Sequence, residues 1–190
     1  MKKLLNRVKN FFNDMLNPIA IALVKVHITP NVLSLTGIVL AFISAFLYYN
    51  EDLWLAASLL LVSGFLDALD GAVARAGRKV TKFGGFLDSL LDRYADSAVI
   101  VAIIIAGLCD LLFGLAALIG TLLVSYSRAR AESEGIQMSG IGLMERAERI
   151  VLLVVASFLN VLWIAIILLA LLTNVTVIHR AVYAWRNLRH

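Results

Sequence analysis

Three long stretches of this chain, residues 26–74, 94–127 and 150–179, contain neither lysine nor arginine. All 17 basic residues fall outside them, in residues 2–25, 75–93, 128–149 and 180–189. Hydrophobic side chains make up 61% of the 190 residues and charged ones 16%. Soluble domains sit near 45–50% apolar and about 25% charged. A soluble fold of this length could not hide so much apolar surface, so lipid must cover the remainder. The same figures exclude disordered and low-complexity classes. Cys109 is the single cysteine, which excludes an intrachain disulfide and a cysteine-cluster metal site.

The net charge of +4 does not point to nucleic acid, because the basic residues gather only between the apolar runs. That arrangement marks the cytoplasmic ends of membrane helices under the positive-inside rule. Residues 2–16 alternate apolar and polar positions at helical spacing, which predicts an amphipathic helix lying in the membrane interface. Pro18 and Pro30 bracket a second short apolar piece. Spans are expected at about 32–50, 53–76, 84–107, 111–131, 145–159 and 161–182, each near the length a bilayer requires. The expected fold is all-α and integral to the cell membrane. One domain, 1–190, has six transmembrane helices, both termini cytoplasmic, and its active site faces the cytoplasm.

Charged residues inside a span cost about 2.5–3.5 kcal/mol each on insertion scales. The second and third spans nevertheless hold Asp67, Asp70, Asp88 and Asp92. Asp67 and Asp70 are i,i+3 and Asp88 and Asp92 are i,i+4, so each pair shares a helix face. The segment Arg75–Phe83 turns the chain, letting the two faces meet. Carboxylates so gathered need neutralisation, and an oxygen-only set suits Mg²⁺ or Mn²⁺. Pairing with arginine is the competing fate, favoured for Asp96 and Asp110.

The pattern Asp67-x2-Asp70-Gly71-x2-Ala74-Arg75-x8-Gly84-x3-Asp88-x3-Asp92 resembles the signature of the CDP-alcohol phosphotransferases. The resemblance implies that the chain moves the phosphatidyl-type group of a CDP-lipid to an alcohol and releases CMP. It further implies two divalent cations, with Asp67 and Asp88 shared, Asp70 and Asp92 completing one ion each, and Asp92 doubling as proton acceptor. Gly71, Ala74, Arg75 and Thr81 would hold the CDP-lipid, together with the segment Thr29-Pro30-Asn31-Val32, where Asn31 could also cap a helix. A homodimer is implied as well.

Arginine forks match phosphate oxygens bidentately, so Arg128, Arg130, Arg146, Arg149 and Arg180 are candidates to bind a phosphate on the acceptor. Arg146 and Arg149 share a face; Arg128 and Arg130, two apart, cannot both point inward. The Arg-Ala-Arg-Ala-Glu and Glu-Arg-Ala-Glu-Arg segments are similar to those of the inositol-phosphate-using branch. That branch includes the archaeal makers of archaetidylinositol phosphate. The expected acceptor is therefore inositol 1-phosphate, with glycerol 3-phosphate as the alternative and a cation transporter as the reading from another class.

Overall fold

The computed structural model describes residues 15–138 and 140–188, so the expected interfacial helix at 2–16 lies almost wholly outside the described residues. Seven helices are seen among them. α1 covers Met15–Lys25, Pro18 included. α2 is Pro30–Tyr49, α3 Leu53–Ala76, α4 Lys82–Ile105, α5 Leu111–Ser133, α6 Arg146–Phe158 and α7 Leu162–Leu188.

Side-chain caps set several of these starts. Asp52 accepts from Leu55 N at 3.3 Å, and Thr81 Oγ1 accepts from Gly84 N at 3.0 Å. The second cap begins α4 at Lys82, ahead of the expected 84. Asp110 accepts from Leu112 N and Phe113 N, so the arginine pairing expected for it gives way to capping. At α2, Pro30 is the first helical residue and Thr29 the N-cap position. Asn31 therefore lies inside the first turn and is not the cap.

α2, α3, α5 and α7 are each long and apolar enough to cross a membrane. α4 matches α3 in length at 24 residues but carries Asp88, Asp92, Arg93 and Asp96 ahead of its apolar last part. α6 has 13 residues, about 20 Å at 1.5 Å per residue, short of a hydrocarbon core of about 30 Å. The six expected spans thus divide into four long apolar helices, one long charged helix and one short helix. Asn160, in the left-handed region at φ 58°, turns α6 into α7, which continues to Leu188 rather than ending at 182.

α2 packs on α3 and α4, α5 packs on α7, and the two groups meet where α4 packs on α5 and where α6 bridges α3 and α7. Close approach explains the small residues. Ser63 Oγ donates to Gly37 O at 2.8 Å across the α2–α3 contact. A Cβ on Gly120 would stand 2.1 Å from Thr173 Oγ1, so α5 and α7 meet at a separation only glycine allows. The core is rich in alanine, including Ala56, Ala57, Ala117 and Ala165, while Phe46, Trp54, Leu112 and Ile178 lie outside. Small residues within and large apolar ones without is the pattern of a bundle whose outer solvent is lipid. Because successive helices alternate in direction, the starts of α2, α4 and α6 and the ends of α3, α5 and α7 share one end of the bundle.

Candidate active site

That shared end holds the acids. Gly77 N donates to Val73 O at 2.8 Å and Lys79 N to Ala74 O at 2.9 Å, and Arg78 takes φ 52°. This tight exit from α3 turns the chain into α4 within a few residues. Carboxylate oxygens of Asp67, Asp70 and Asp88 consequently lie within 4.8 Å of one another. Asp70 is buried, and Ser34 of α2 is hydrogen-bonded to its Oδ2. Three like charges this close repel strongly outside bulk water. An all-oxygen donor set of this kind fits a hard divalent cation.

Asp92 stands one turn beyond Asp88 on α4, outside that trio, and an arginine from α6 reaches it. Arg146 Nη1 is ion-paired with Asp67 Oδ2 and lies 2.9 Å from Asp92 Oδ1. Its Nε lies 3.4 Å from Asp96 Oδ1. Arg149 Nη2 closes the chain of charges at 2.7 Å from Asp96 Oδ2. Asp96 thus pairs with arginines, as expected, but with those of α6 rather than with near sequence neighbours. Arg93 adds a weaker contact to Asp92 at 3.5 Å.

A cavity of about 310 Å³ opens beside Asp92 and is walled by Arg128, Arg146, Arg149 and Arg180, with Glu132 and Glu145 at its edge. Arg180 is only 1% exposed and is held rigidly. Its Nε donates to Ile141 O at 2.7 Å and its Nη1 to Val124 O. The loop supplying Ile141 can approach because Gly142 adopts φ +126°, and a Cβ there would lie 2.4 Å from Thr176 Cγ2. Leu143 N then donates to Thr176 Oγ1 at 3.1 Å. Arg128 pairs with Glu132 at 2.9 Å. Arg130 is not brought to the cavity: it is exposed, paired with Glu134 and bonded to Ser133.

The expected nucleotide-binding residues lie at the same end, around the mouth of α2 and along α3. Thr29 and Pro30 are half-buried, and Asn31 and Val32 are exposed. Gly71 faces Arg75, whose Nη1 would lie 3.3 Å from a Cβ at that position; a side chain there would push the exposed guanidinium aside by a few tenths of an ångström. Ala74 is half-buried, while Arg75 and Thr81 are exposed. Ser34 was not singled out by sequence. Ser34 is one of several serines on apolar helices, with nothing in the pattern to separate it from Ser44 or Ser63. Glu145 accepts from Gly140 N at 3.3 Å and lies 3.9 Å from Arg180 Nη2, contacts that depend on the loop's path.

Comparison with known proteins gives a consistent result. The family model for CDP-alcohol phosphatidyltransferase matches residues 27–183. An archaetidylinositol phosphate synthase from Pyrococcus horikoshii is 40% identical over 97% of this chain and 98% of its own length. A phosphatidylinositol phosphate synthase from Cutibacterium acnes is 36% identical over 75% of this chain and 72% of its own. Among solved structures, the Mycobacterium tuberculosis phosphatidylinositol phosphate synthase with CDP-DAG bound superposes with TM-score 0.79 at 28% identity, covering 90% of this chain and 94% of that one. The same enzyme in complex with manganese and citrate gives 0.78 at 29%, over 90% and 88%. With its aspartate signature, its helical bundle and these relatives in agreement, the chain belongs to the CDP-alcohol phosphatidyltransferase family.

Proposed function

We propose that this protein transfers the phosphatidyl-type group of CDP-archaeol or CDP-diacylglycerol to inositol 1-phosphate (1D-myo-inositol 3-phosphate) and releases CMP. The carrying observation is that the carboxylate cluster and the arginine-walled cavity share Asp92 and Arg146, so a donor phosphate and a phosphorylated acceptor would meet there. The names of the similar enzymes support the same acceptor.

Asp67, Asp70, Asp88 and Asp92 would hold two divalent cations, Mg²⁺ or Mn²⁺, which neutralise phosphate charge and polarise the reacting oxygens when bound. Thr29, Pro30, Asn31, Val32, Gly71, Ala74, Arg75 and Thr81 bind the CDP-lipid. Arg128, Arg149 and Arg180, with Arg146 at the boundary, grip the acceptor phosphate and aim its hydroxyl. Asp92 takes the hydroxyl proton. The new bond joins acceptor oxygen to the lipid-side phosphorus, and the bond to the CMP oxygen breaks with its electron pair leaving on CMP.

The chain passes back and forth through the membrane six times with both termini cytoplasmic, α6 covering only part of the thickness by itself, and it works as a homodimer. Charge supports the orientation: the end opposite the site has Glu51, Asp52 and Asp110 and no basic residue, as the positive-inside rule requires of an outer face. Purified protein supplied with CDP-lipid, Mn²⁺ and either inositol 1-phosphate or glycerol 3-phosphate tests the acceptor through CMP release. Faster turnover with inositol phosphate is expected, and equal or greater turnover with glycerol phosphate overturns the assignment.

A further inference from the structure

Arg149 borders two cavities. On one side is the acceptor cavity; on the other is a small, partly open space of about 20 Å³ lined by Asp96, Thr121 and Arg149 among apolar walls that include Leu60, Val99 and Leu169. Two polar atoms beside the small space are stranded. Thr121 Oγ1 and Arg149 Nε have no hydrogen-bond partner among the described residues, although the two residues are only 2% and 5% exposed. The rest of the guanidinium is engaged, Nη1 donating to Met144 O at 3.2 Å and Nη2 to Asp96 Oδ2 at 2.7 Å. Buried donors left unmade are rare because desolvation goes uncompensated.

We infer that this space is a binding site for a single water molecule, which accepts the Nε–H of Arg149 and bonds to the Thr121 hydroxyl and the Asp96 carboxylate. The volume exceeds the roughly 10–15 Å³ that one water needs, and three partners is the usual number for a buried one. Beyond these three residues the walls are apolar and offer a larger polar ligand no further partner. Such a water would lock the guanidinium plane where Arg149 lines the acceptor cavity. Thr121, two helical turns below Arg128 on α5, is then a positioning residue for Arg149. This role rests on the reading of Arg149 as a ligand of the acceptor phosphate.

The test combines a structure of the full chain in lipid nanodiscs, at a resolution that reveals ordered water, with kinetics of T121V, T121S and R149Q. Valine keeps the shape of threonine and deletes the hydroxyl. The wild type is expected to have one water within reach of Thr121 Oγ1 and Arg149 Nε, and T121V to lose it. T121V should raise KM for inositol phosphate about fivefold without changing kcat or KM for the CDP-lipid, and T121S should restore the wild-type value. Wild-type acceptor KM in T121V, equal impairment in T121S, or a dry cavity would each overturn the proposal. R149Q separates it from the reading beneath: an unchanged acceptor KM there removes Arg149 from acceptor binding, and with it the positioning role of Thr121.

Discussion

Asp67, Asp70 and Asp88 come from two consecutive helices, whereas Arg128, Arg149 and Arg180 come from three helices whose geometry depends on an intervening loop. The acids are arranged by helical periodicity and one tight turn, so secondary structure alone nearly assembles them. The arginines are arranged by tertiary contacts. Arg180 is held by carbonyls of Ile141 and Val124, and Arg149 by Met144 O and Asp96. Arg146 belongs to both groups, lying beside Arg149 in sequence but bonded to Asp67 and Asp92 in space. The acid half can therefore be disabled one ligand at a time, while the basic half should respond to changes in its scaffold.

The largest effect is expected on the acid side. Asp92→Asn should lower CMP release by about 10³-fold, the scale of a lost proton acceptor, while thermal unfolding stays close to wild type because the Asp67–Arg146 pair remains. Surviving turnover would remove Asp92 as the base. Arg146→Gln comes next. It leaves Asp67 without its cation and Asp92 with only the 3.5 Å contact to Arg93, and breaking such a half-buried pair costs about 3 kcal/mol. Unfolding measured with and without Mn²⁺ decides to which half Arg146 belongs. Recovery of the lost stability by Mn²⁺ assigns it to the acids, and an equal deficit in both conditions assigns it to the arginine cavity. Arg180→Lys keeps the charge but not the fork that spans two carbonyls, and should raise acceptor KM about tenfold, read from initial rates at saturating CDP-lipid.

These differences also explain what the sequence made legible. Four aspartates in apolar runs stand out because their placement there is expensive, and their spacing alone assigns them to shared faces. The short α6, Arg146–Phe158, was legible as 145–159 because Asn160 separates it from the next apolar run. The early start of α4 was harder to see, since Thr81 becomes a cap only when the chain folds back. Ser34 became visible only when α2 was laid against α3, since its partner Asp70 is 36 residues away. The inward choice between Arg128 and Arg130 did have a signal. Gly114, Ala117, Thr121 and Val124 form the buried stripe of α5, and the next step of four reaches 128 and passes over 130.

That stripe yields the smallest and most discriminating prediction. Arg128 and Arg130 are both i,i+4 ion-paired, with Glu132 and Glu134, so local electrostatics alone would treat them alike. Exposed pairs of this kind contribute about 0–1 kcal/mol, and neither substitution should disturb folding. Only Arg128 borders the cavity, where a phosphate could displace Glu132 from its guanidinium. Arg128→Ala should raise KM for inositol phosphate about fivefold, and Arg130→Ala should leave it within about twofold. Equal effects would mean that charge density at the end of α5, rather than direct contact, attracts the acceptor. The salt dependence of the two variants would then coincide, because screened long-range attraction does not distinguish residues two apart.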